Sequence, residues 1–306
     1  MTSDHKTSVS LLIPCYNAAA YIKPFLEHVA KLKQSFNEVI FYDDASTDNS
    51  AGLLTSKGFK VIRGEINRGQ GHARNRLAEA ASCSYIHFHD IDDELNPAFL
   101  QLVNTKIKDI NADVVLGNAD WIDAKTRQAI IEWRYNEVEL VKNPLAYFIS
   151  NPLGIINTVY KKYFFLKVNG FNEEIKCWED ADLHIRLADA GATFAVIDHV
   201  LAYSLRHNNG VSQDQLWCWN CRLKFIKLYL KTYLDKVGPA IFGTELKKIQ
   251  NAFIMMGQYQ HLGDIIVLNK QHSLALKTGR IALIYQLNKI LPSAVINKLL
   301  KFFIKR

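Results

Sequence analysis

Residues 85–97 read YIHFHDIDDELNP. An apolar run from Tyr85 to Phe88 stops at Asp90, Asp92, Asp93 and Glu94, and Asn96-Pro97 then opens a helix. Asn is a good helix cap and Pro suits a first helical turn. Strand, polar turn, helix is the unit that the first half of the chain repeats. SVSLLIP (8–14) reads as a buried strand ahead of a helix around AAYIKPFLEHVAKLK (19–33). EVIFYDD (38–44) is a second strand, with a turn and short helix in STDNSAGLLTSKG (46–58), and FKVIRG (59–64) is a third. A helix over GHARNRLAEAA (71–81) leads into SYIHFHD (84–90), and ADVVLGNADWID (112–123) is strand-like again. Such alternation predicts an α/β fold, a Rossmann-like and mainly parallel sheet wound by helices, with ligands at the carboxyl ends of the strands. Asn17, Asp43/Asp44 and Asp90/Asp92/Asp93 all fall just after strands, so three polar stations share one rim.

Residues 140–215 look mixed, and beyond about residue 215 the pattern is helical. The expected division is residues 1–215 as the α/β domain and 216–306 as a basic helical C-terminal region. Residues 221–306 carry 15 Lys/Arg against 3 Asp/Glu, whereas the other 220 residues carry 22 against 27. An acidic body with a strongly basic tail suggests two jobs, the tail facing something anionic. In LPSAVINKLLKFFIKR (291–306), Val295, Leu299 and Phe303 recur on one helical face, and Lys298, Lys301 and Lys305 on another. Such a helix can lie in an anionic membrane interface. Aromatic and basic residues are not interleaved as in any nucleic-acid module, so no nucleic-acid partner is expected. No run approaches the ~18 apolar residues of a membrane span. The five cysteines are too few and irregular for a disulfide framework, and Cys218-x-x-Cys221 lacks a second pair. A reducing cytosol and a chain that opens on a strand rather than a signal peptide are expected.

The acid turn has a chemical reading. Carboxylates are hard ligands for Mg²⁺ or Mn²⁺, which share their shell with water and substrate phosphates. His87 and His89 alternate on the strand and point the same way. The H-x-H-x-D pattern of a dinuclear metallohydrolase nevertheless fails, because residue 91 is Ile and residue 93 is Asp. Buried or hydrogen-bonded histidines are expected instead. Arg74 lies near a helix start, where the dipole disfavours a cation, so it should answer an anion or a carboxylate. In CWEDADLHIRLADAG (177–191), Glu179, Asp180 and Asp182 crowd together, and neighbouring carboxylates raise one another's pKa, which suits a general base. A dinucleotide site would want G-x-G-x-x-G after the first strand, and PCYNAAAYI (14–22) has none.

Taken in order, five segments resemble the family 2 glycosyltransferases, the inverting group with the GT-A fold. They are SVSLLIPCYNAAAYI (8–22), VIFYDDASTDNS (39–50) as the D-D-x-S-x-D segment, and NRGQGHARNRLAEAA (67–81) as N-x-G-x-x-x-A-R-N. YIHFHDIDDEL (85–95) matches the D-x-D region, and LKVNGFNEEIKCWEDADLHIRLADAG (166–191) the G-F-(D/N)-E … E-D … R-L … G block. The resemblance implies that Pro14, Tyr16 and Asn17 border the nucleoside and that Asp43 or Asp44 takes the base. It implies that Asn67 and Arg74 approach the nucleotide, and that Asp90 and Asp92 meet the ribose and sugar–phosphate. Asp92 and Asp93 would hold Mn²⁺ or Mg²⁺, with His207 as a further candidate ligand from AYSLRHNNGVS (202–212). Asp180 would be the catalytic base, with Glu179 beside it. The implied partners are a nucleotide-diphospho sugar donor, most simply a UDP-sugar, and a saccharide or lipid-linked saccharide acceptor. The implied place is the cytoplasmic face of a bacterial plasma membrane, in capsule or lipopolysaccharide assembly. Cys15, Ala45 and His89 depart from the commonest family pattern, and the tail matches no part of it. Two rivals stay open: a non-catalytic nucleotide-sugar or polysaccharide-binding protein, and a sugar nucleotidyltransferase. The latter would need a Gly-rich phosphate loop after the first strand.

Overall fold

The computed structural model describes residues 8–206 and 214–304, with side chains through Leu300. The chain divides into two compact units, Met1–Gly210 and Val211–Arg306.

In the first unit the elements follow in order: β1 Val9–Cys15, α1 Ala19–Val29, β2 Glu38–Asp43, α2 Ser50–Ser56, β3 Lys60–Arg63, α3 Gln70–Ala80 and β4 Tyr85–Phe88. Then come β5 Glu94–Leu95, α4 Phe99–Ile110, β6 Val114–Asp123, β7 Ala129–Trp133, α5 Glu137–Lys142 and α6 Pro144–Ser150. Last are β8 Thr158–Lys161, α7 Lys162–Lys167, α8 Glu179–Asp189 and β9 Phe194–Arg206. All nine strands join one sheet in the order β3-β2-β1-β4-β8-β6-β9-β5, with β7 added to β6. β3, β2, β1 and β4 are mutually parallel, β8 is antiparallel to both β4 and β6, and β9 is parallel to β6. The expected mainly parallel α/β sheet is therefore present, with β5, β7 and β8 running the other way.

The reason lies in burial. β1 is buried at every position but Pro14, and Leu11, Leu12, Ile13, Ile40, Phe41 and Phe88 are wholly inaccessible. Strands covered on both faces are continuous apolar runs, and each such side chain contributes ~1.5–3 kcal/mol on burial. α3 lies against β1 and β2, and α4 against β6 and β9. The chain leaves β1 outward to β2 and β3, then returns to add β4 on the other side. A reversal of this kind opens a crevice at the carboxyl ends of the strands. At the turn after β4, the Asn96 side chain accepts from Ala98 N at 2.9 Å, and α4 starts two residues beyond Pro97.

The second unit is helical: α9 Gln215–Val237, α10 Pro239–Met255, α11 Leu262–His272, α12 Gly279–Leu287 and α13 Ser293–Ile304. Asp214 caps α9 through Trp217 N at 2.9 Å. Its core holds Phe242, Leu246, Ile249, Phe253 and Tyr259, together with a buried Arg222–Glu245 ion pair at 2.7 Å. Among the described residues no helix is long and apolar enough to cross a membrane. The five cysteines form no disulfide.

Candidate functional site

The ends of β1, β2 and β4 meet on one rim. Cys15 pairs with Asp43, Asp44 N donates to Cys15 O at 2.9 Å, and His89 N donates to Leu12 O at 3.0 Å. Pro14, next to last in β1, lies opposite Tyr42, and Tyr16 is exposed just past the strand. Asn17 sits at φ 50°, a left-handed conformation that Asn tolerates. Its Oδ1 accepts from Thr47 N at 2.8 Å and Thr47 Oγ1 at 3.1 Å, and its own N–H donates to Ser46 Oγ at 2.9 Å. Asn17 thus splices the loop after β1 to the loop after β2.

The two neighbouring aspartates have different fates. Asp44 accepts from Gly69 N at 2.7 Å and from Arg68 N at 3.1 Å, and so shapes the loop ahead of α3. Asp43 is wholly buried, and neither of its oxygens accepts a hydrogen bond among the described residues. Its nearest countercharge is Arg63, whose Nε lies 3.2 Å from Oδ2 and whose side chain is 63% exposed. A buried carboxylate short of donors is costly, and it is suited to accept N–H or O–H groups from a bound ring. Asn67 is exposed on the loop between β3 and α3.

Arg74, in α3, ties the two acid clusters together. Its Nη2 donates to Asp90 Oδ1 at 2.9 Å and to Gln70 Oε1 at 2.9 Å, and its Nη1 donates to Glu179 Oε1 at 3.2 Å. The guanidinium is almost fully buried, 5.5 Å from the centre of the Phe171 ring. Burial works against its charge, but Asp90 and Glu179 outweigh that and hold it more firmly protonated than usual. The cation at the helix start thus answers carboxylates, as its position implied. The same helix fixes the segment that carries Glu179. Asn75 exchanges hydrogen bonds with Phe171, donating to its O at 2.9 Å and accepting from its N at 2.8 Å. His72 meets Glu173 at 2.9 Å. Gly170 has φ 61°, and a Cβ there would collide with Asn75 and Phe165.

Trp178 then turns the chain into α8 with φ 71°, a conformation that costs a bulky residue ~1–3 kcal/mol and concentrates at functional sites. Asp180 occupies the first turn of α8 and accepts from Ala181 N at 2.7 Å. Burial, and next the charge of Glu179, push its carboxyl up to about 7, against the pull of the Ala181 N–H and Arg74. Asp182 instead binds Arg186 one turn on, at 2.8 Å from Nε. A carboxyl raised toward neutrality is suited to exchange a proton at working pH.

In the acid turn, Asp90 and Asp92 are half-buried and Asp93 is buried. Asp93 accepts from Leu205 N of β9 at 2.8 Å. Burial, then Asp90 and Asp92, push its carboxyl well above the usual range. Asp93 is therefore turned toward β9, whereas Asp90 and Asp92 stay half-buried in the turn. His87 and His89 are core residues, their rings 5.6 Å apart, and burial lowers them to about 3 and about 4. His87 Nδ1 meets Thr158 O at 2.8 Å. His207 lies outside the described residues. Among the described residues no group of three or more His, Cys, Asp or Glu side chains forms a metal cage. A hard divalent ion that takes most of its shell from water and a diphosphate needs only one or two protein carboxylates, and Asp90 with Asp92 fit that demand.

The family model for glycosyl transferase family 2 matches residues 10–169, just over half of the chain. The chain belongs to glycosyl transferase family 2. Curated family relatives include Glycosyltransferase GlyG of Streptococcus pneumoniae serotype 4, 30% identical over 115 residues, 36% of this chain and 38% of GlyG. The poly(ribitol-phosphate) beta-N-acetylglucosaminyltransferase TarS of Staphylococcus aureus is 30% identical over 182 residues, 56% of this chain and 30% of TarS. The processive diacylglycerol beta-glycosyltransferase of Mycoplasma pneumoniae is 27% identical over 275 residues, 80% of this chain and 77% of that one. This chain thus spans under half the length of GlyG and of TarS. Among solved structures, an S. aureus TarS fragment in complex with UDP-GlcNAc superposes with a TM-score of 0.62 at 22% identity, covering 81% of this chain and 73% of that chain. Its fold is similar.

The family motifs that fall on separate segments are brought together here by side chains no motif spacing reveals. His72 and Asn75 lie inside the quoted N-x-G-x-x-x-A-R-N stretch, yet their partners Glu173 and Phe171 are about a hundred residues away.

Proposed function

We propose that this family 2 chain is an inverting glycosyltransferase. It would move a sugar from a nucleotide-diphospho sugar, most simply a UDP-sugar, to a hydroxyl of a saccharide or lipid-linked saccharide. The observation that carries the reading is the Arg74 bridge, which brings Asp90 of the acid turn and Glu179, next to Asp180, to one guanidinium. In the proposed reaction Asp180 takes the proton of the acceptor hydroxyl as its oxygen bonds to the anomeric carbon. The bond from that carbon to the diphosphate breaks, and its electron pair leaves with the nucleotide. Attack from the face opposite the leaving group inverts the centre. Arg74 supports growing diphosphate charge through a fixed, dry cation, the kind of preorganised electrostatics that contributes most in such sites. Asp43 accepts from the base, a role its unsatisfied oxygens support better than those of Asp44. Tyr16 and Pro14 border the nucleoside from the same rim. Asp90 and Asp92 would hold Mn²⁺ or Mg²⁺, which supplies Lewis-acid stabilisation to a departing diphosphate when bound. A TarS structure that contains UDP-GlcNAc on the same fold supports a nucleotide-sugar donor.

Calorimetric titration of UDP, GDP, CDP and dTDP, with Mn²⁺ and then with EDTA, tests the donor half. One nucleotide should bind in the presence of the ion, and Asp92→Ala should weaken it about tenfold to a hundredfold, the loss of one charge-assisted contact. Failure of all four nucleotides to bind would overturn the reading.

The second unit supports association with an anionic membrane, on the cytoplasmic face if the acceptor is lipid-linked. Leu283 and Ile290 are 62% and 80% exposed, Val295 and Leu299 41% each, and Lys289 and Lys298 are exposed beside them in the chain. Each lysine near an anionic surface contributes about 1 kcal/mol. Lys289→Glu with Lys298→Glu should therefore cut sedimentation with phosphatidylglycerol vesicles by about tenfold or more at low salt. Equal binding of wild type and variant would place any membrane contact elsewhere.

A further inference from the structure

A second group of side chains shares the rim beyond the acid turn. β6 runs parallel to β9 with Trp121 beside Ser204 and Asp123 beside Arg206. On the other side of β6, antiparallel β7 sets Ile131 beside Trp121 and Trp133 beside Ala119. Residues paired across strands share a face, as do residues two apart along one strand. Trp121, Ile131, Trp133, Ser204 and Arg206 therefore lie on one face. The two indole rings meet edge to face, with centroids 5.8 Å apart at 64°. The Arg206 guanidinium lies 4.3 Å from the centre of the Trp121 ring. Both tryptophans are half-buried and Ile131 is exposed, so aromatic surface reaches solvent on this face.

Hydrogen bonds to β9 join this face to the acid turn. Asp93, which takes the Leu205 N–H, also bonds the Ser204 side chain, and Trp121 stands one strand beyond Ser204. With strands about 4.8 Å apart, the backbone of Trp121 is about 10 Å from that of Asp93. The aromatic pair thus neighbours the acid turn.

We infer that the Trp121–Trp133 face seats the acceptor, and that the acceptor presents a pyranose ring there. A pyranose carries C–H groups on its faces and hydroxyls around its edge. Indole planes match the first, and the Arg206 guanidinium, with five N–H donors, matches the second. A lipid tail would want apolar walls without a cation at the ring. This assignment rests on the transferase reading above, of which it names the acceptor side.

The test uses the full chain with UDP and Mn²⁺ present, and a panel of methyl pyranosides of glucose, galactose, mannose and N-acetylglucosamine as probes. Saturation-transfer NMR reads the glycoside, and calorimetry reads UDP on the same samples. At least one glycoside should receive saturation from the wild type and from Trp121→Phe. It should lose about fivefold or more of that signal in Trp121→Ala and Trp133→Ala, with UDP affinity held within about twofold. Retained UDP binding also shows that the variants fold. A glycoside signal equal in wild type and alanine variants, or no glycoside signal from a protein that binds UDP, overturns the acceptor assignment alone. A wild type that self-associates through this face, with monomeric alanine variants, overturns it as well, because the exposed β7 edge then pairs with a second copy. A wild type that binds no nucleotide overturns the transferase reading beneath it.

Discussion

Asp180→Asn should keep donor binding and lose transfer by about a hundredfold to ten-thousandfold in kcat, the usual contribution of a positioned base. The substitution keeps the shape and the Ala181 N–H contact but replaces a carboxylate that can take a proton with an amide that cannot. The wild-type pH profile follows from the same carboxyl. Because Asp180 is raised to about 7, it is protonated and inert as a base in mild acid, so kcat should climb with pH through about 7. The residual rate of Asp180→Asn should lack that step. Stability moves in the opposite sense. A carboxyl whose folded pKa lies above its unfolded one binds more protons in the native state, so it costs stability as pH rises from about 4 to about 7. At pH 8 the cost is fully present, and removing the charge should raise the melting temperature. Glu179 and Arg74 share the site, so about 2 kcal/mol is expected rather than the ~4 kcal/mol that a displacement of three pH units would imply alone. The gain should shrink as pH falls from about 7 and vanish near pH 4. An Asp180→Asn protein with near wild-type transfer would show that the base is another residue, and one less stable at pH 8 would show that the Asp180 carboxyl is not raised. A binding protein without catalysis would show neither the rate loss nor the pH step.

Much of the fold was legible because its parallel strands are buried on both faces and read as unbroken apolar runs followed by caps. β1, β2 and β4 fall where SVSLLIP, EVIFYDD and SYIHFHD predict them. The short antiparallel pieces were not legible. β5 is only Glu94–Leu95, inside the acid turn itself, and β8 is four residues flanked by helix; neither is long enough to carry a period. Within the candidate site, the acids could be found but not ranked. Asp43 and Asp44 are identical neighbours, yet one is stitched to the Arg68 and Gly69 amides and the other is left with a lone exposed arginine. Only tertiary partners make that distinction. Asp92 and Asp93 divide in the same way, since the Leu205 amide that claims Asp93 belongs to a strand more than a hundred residues on. The tryptophans of β6 and β7 carry no spacing signal either, because they become neighbours only when the hairpin closes.

Arg74→Met should destabilise the first unit by about 3–5 kcal/mol, as expected when a buried ion cluster loses its cation. The side chain is 3% exposed, and its removal strands Asp90 and Glu179 facing each other with Asp180 close by. Arg74→Lys should not rescue it. A single ammonium cannot reproduce the planar fork whose two terminal nitrogens serve Asp90, Gln70 and Glu179. The decisive comparison is the triple variant Arg74→Met with Asp90→Asn and Glu179→Gln, followed by urea unfolding of the full chain. If the loss in Arg74→Met comes from uncompensated carboxylates, neutralising both should recover most of the stability. Donor binding would stay impaired, because the cation facing the diphosphate is still gone. If the triple variant is as unstable as Arg74→Met, the guanidinium acts mainly by packing on Phe171 and filling the space between α3 and α8. The electrostatic account of the bridge would then be wrong. Recovery of stability without recovery of nucleotide affinity is the expected outcome, because the bridge that holds the two acid segments together is also the charge proposed to meet the leaving group.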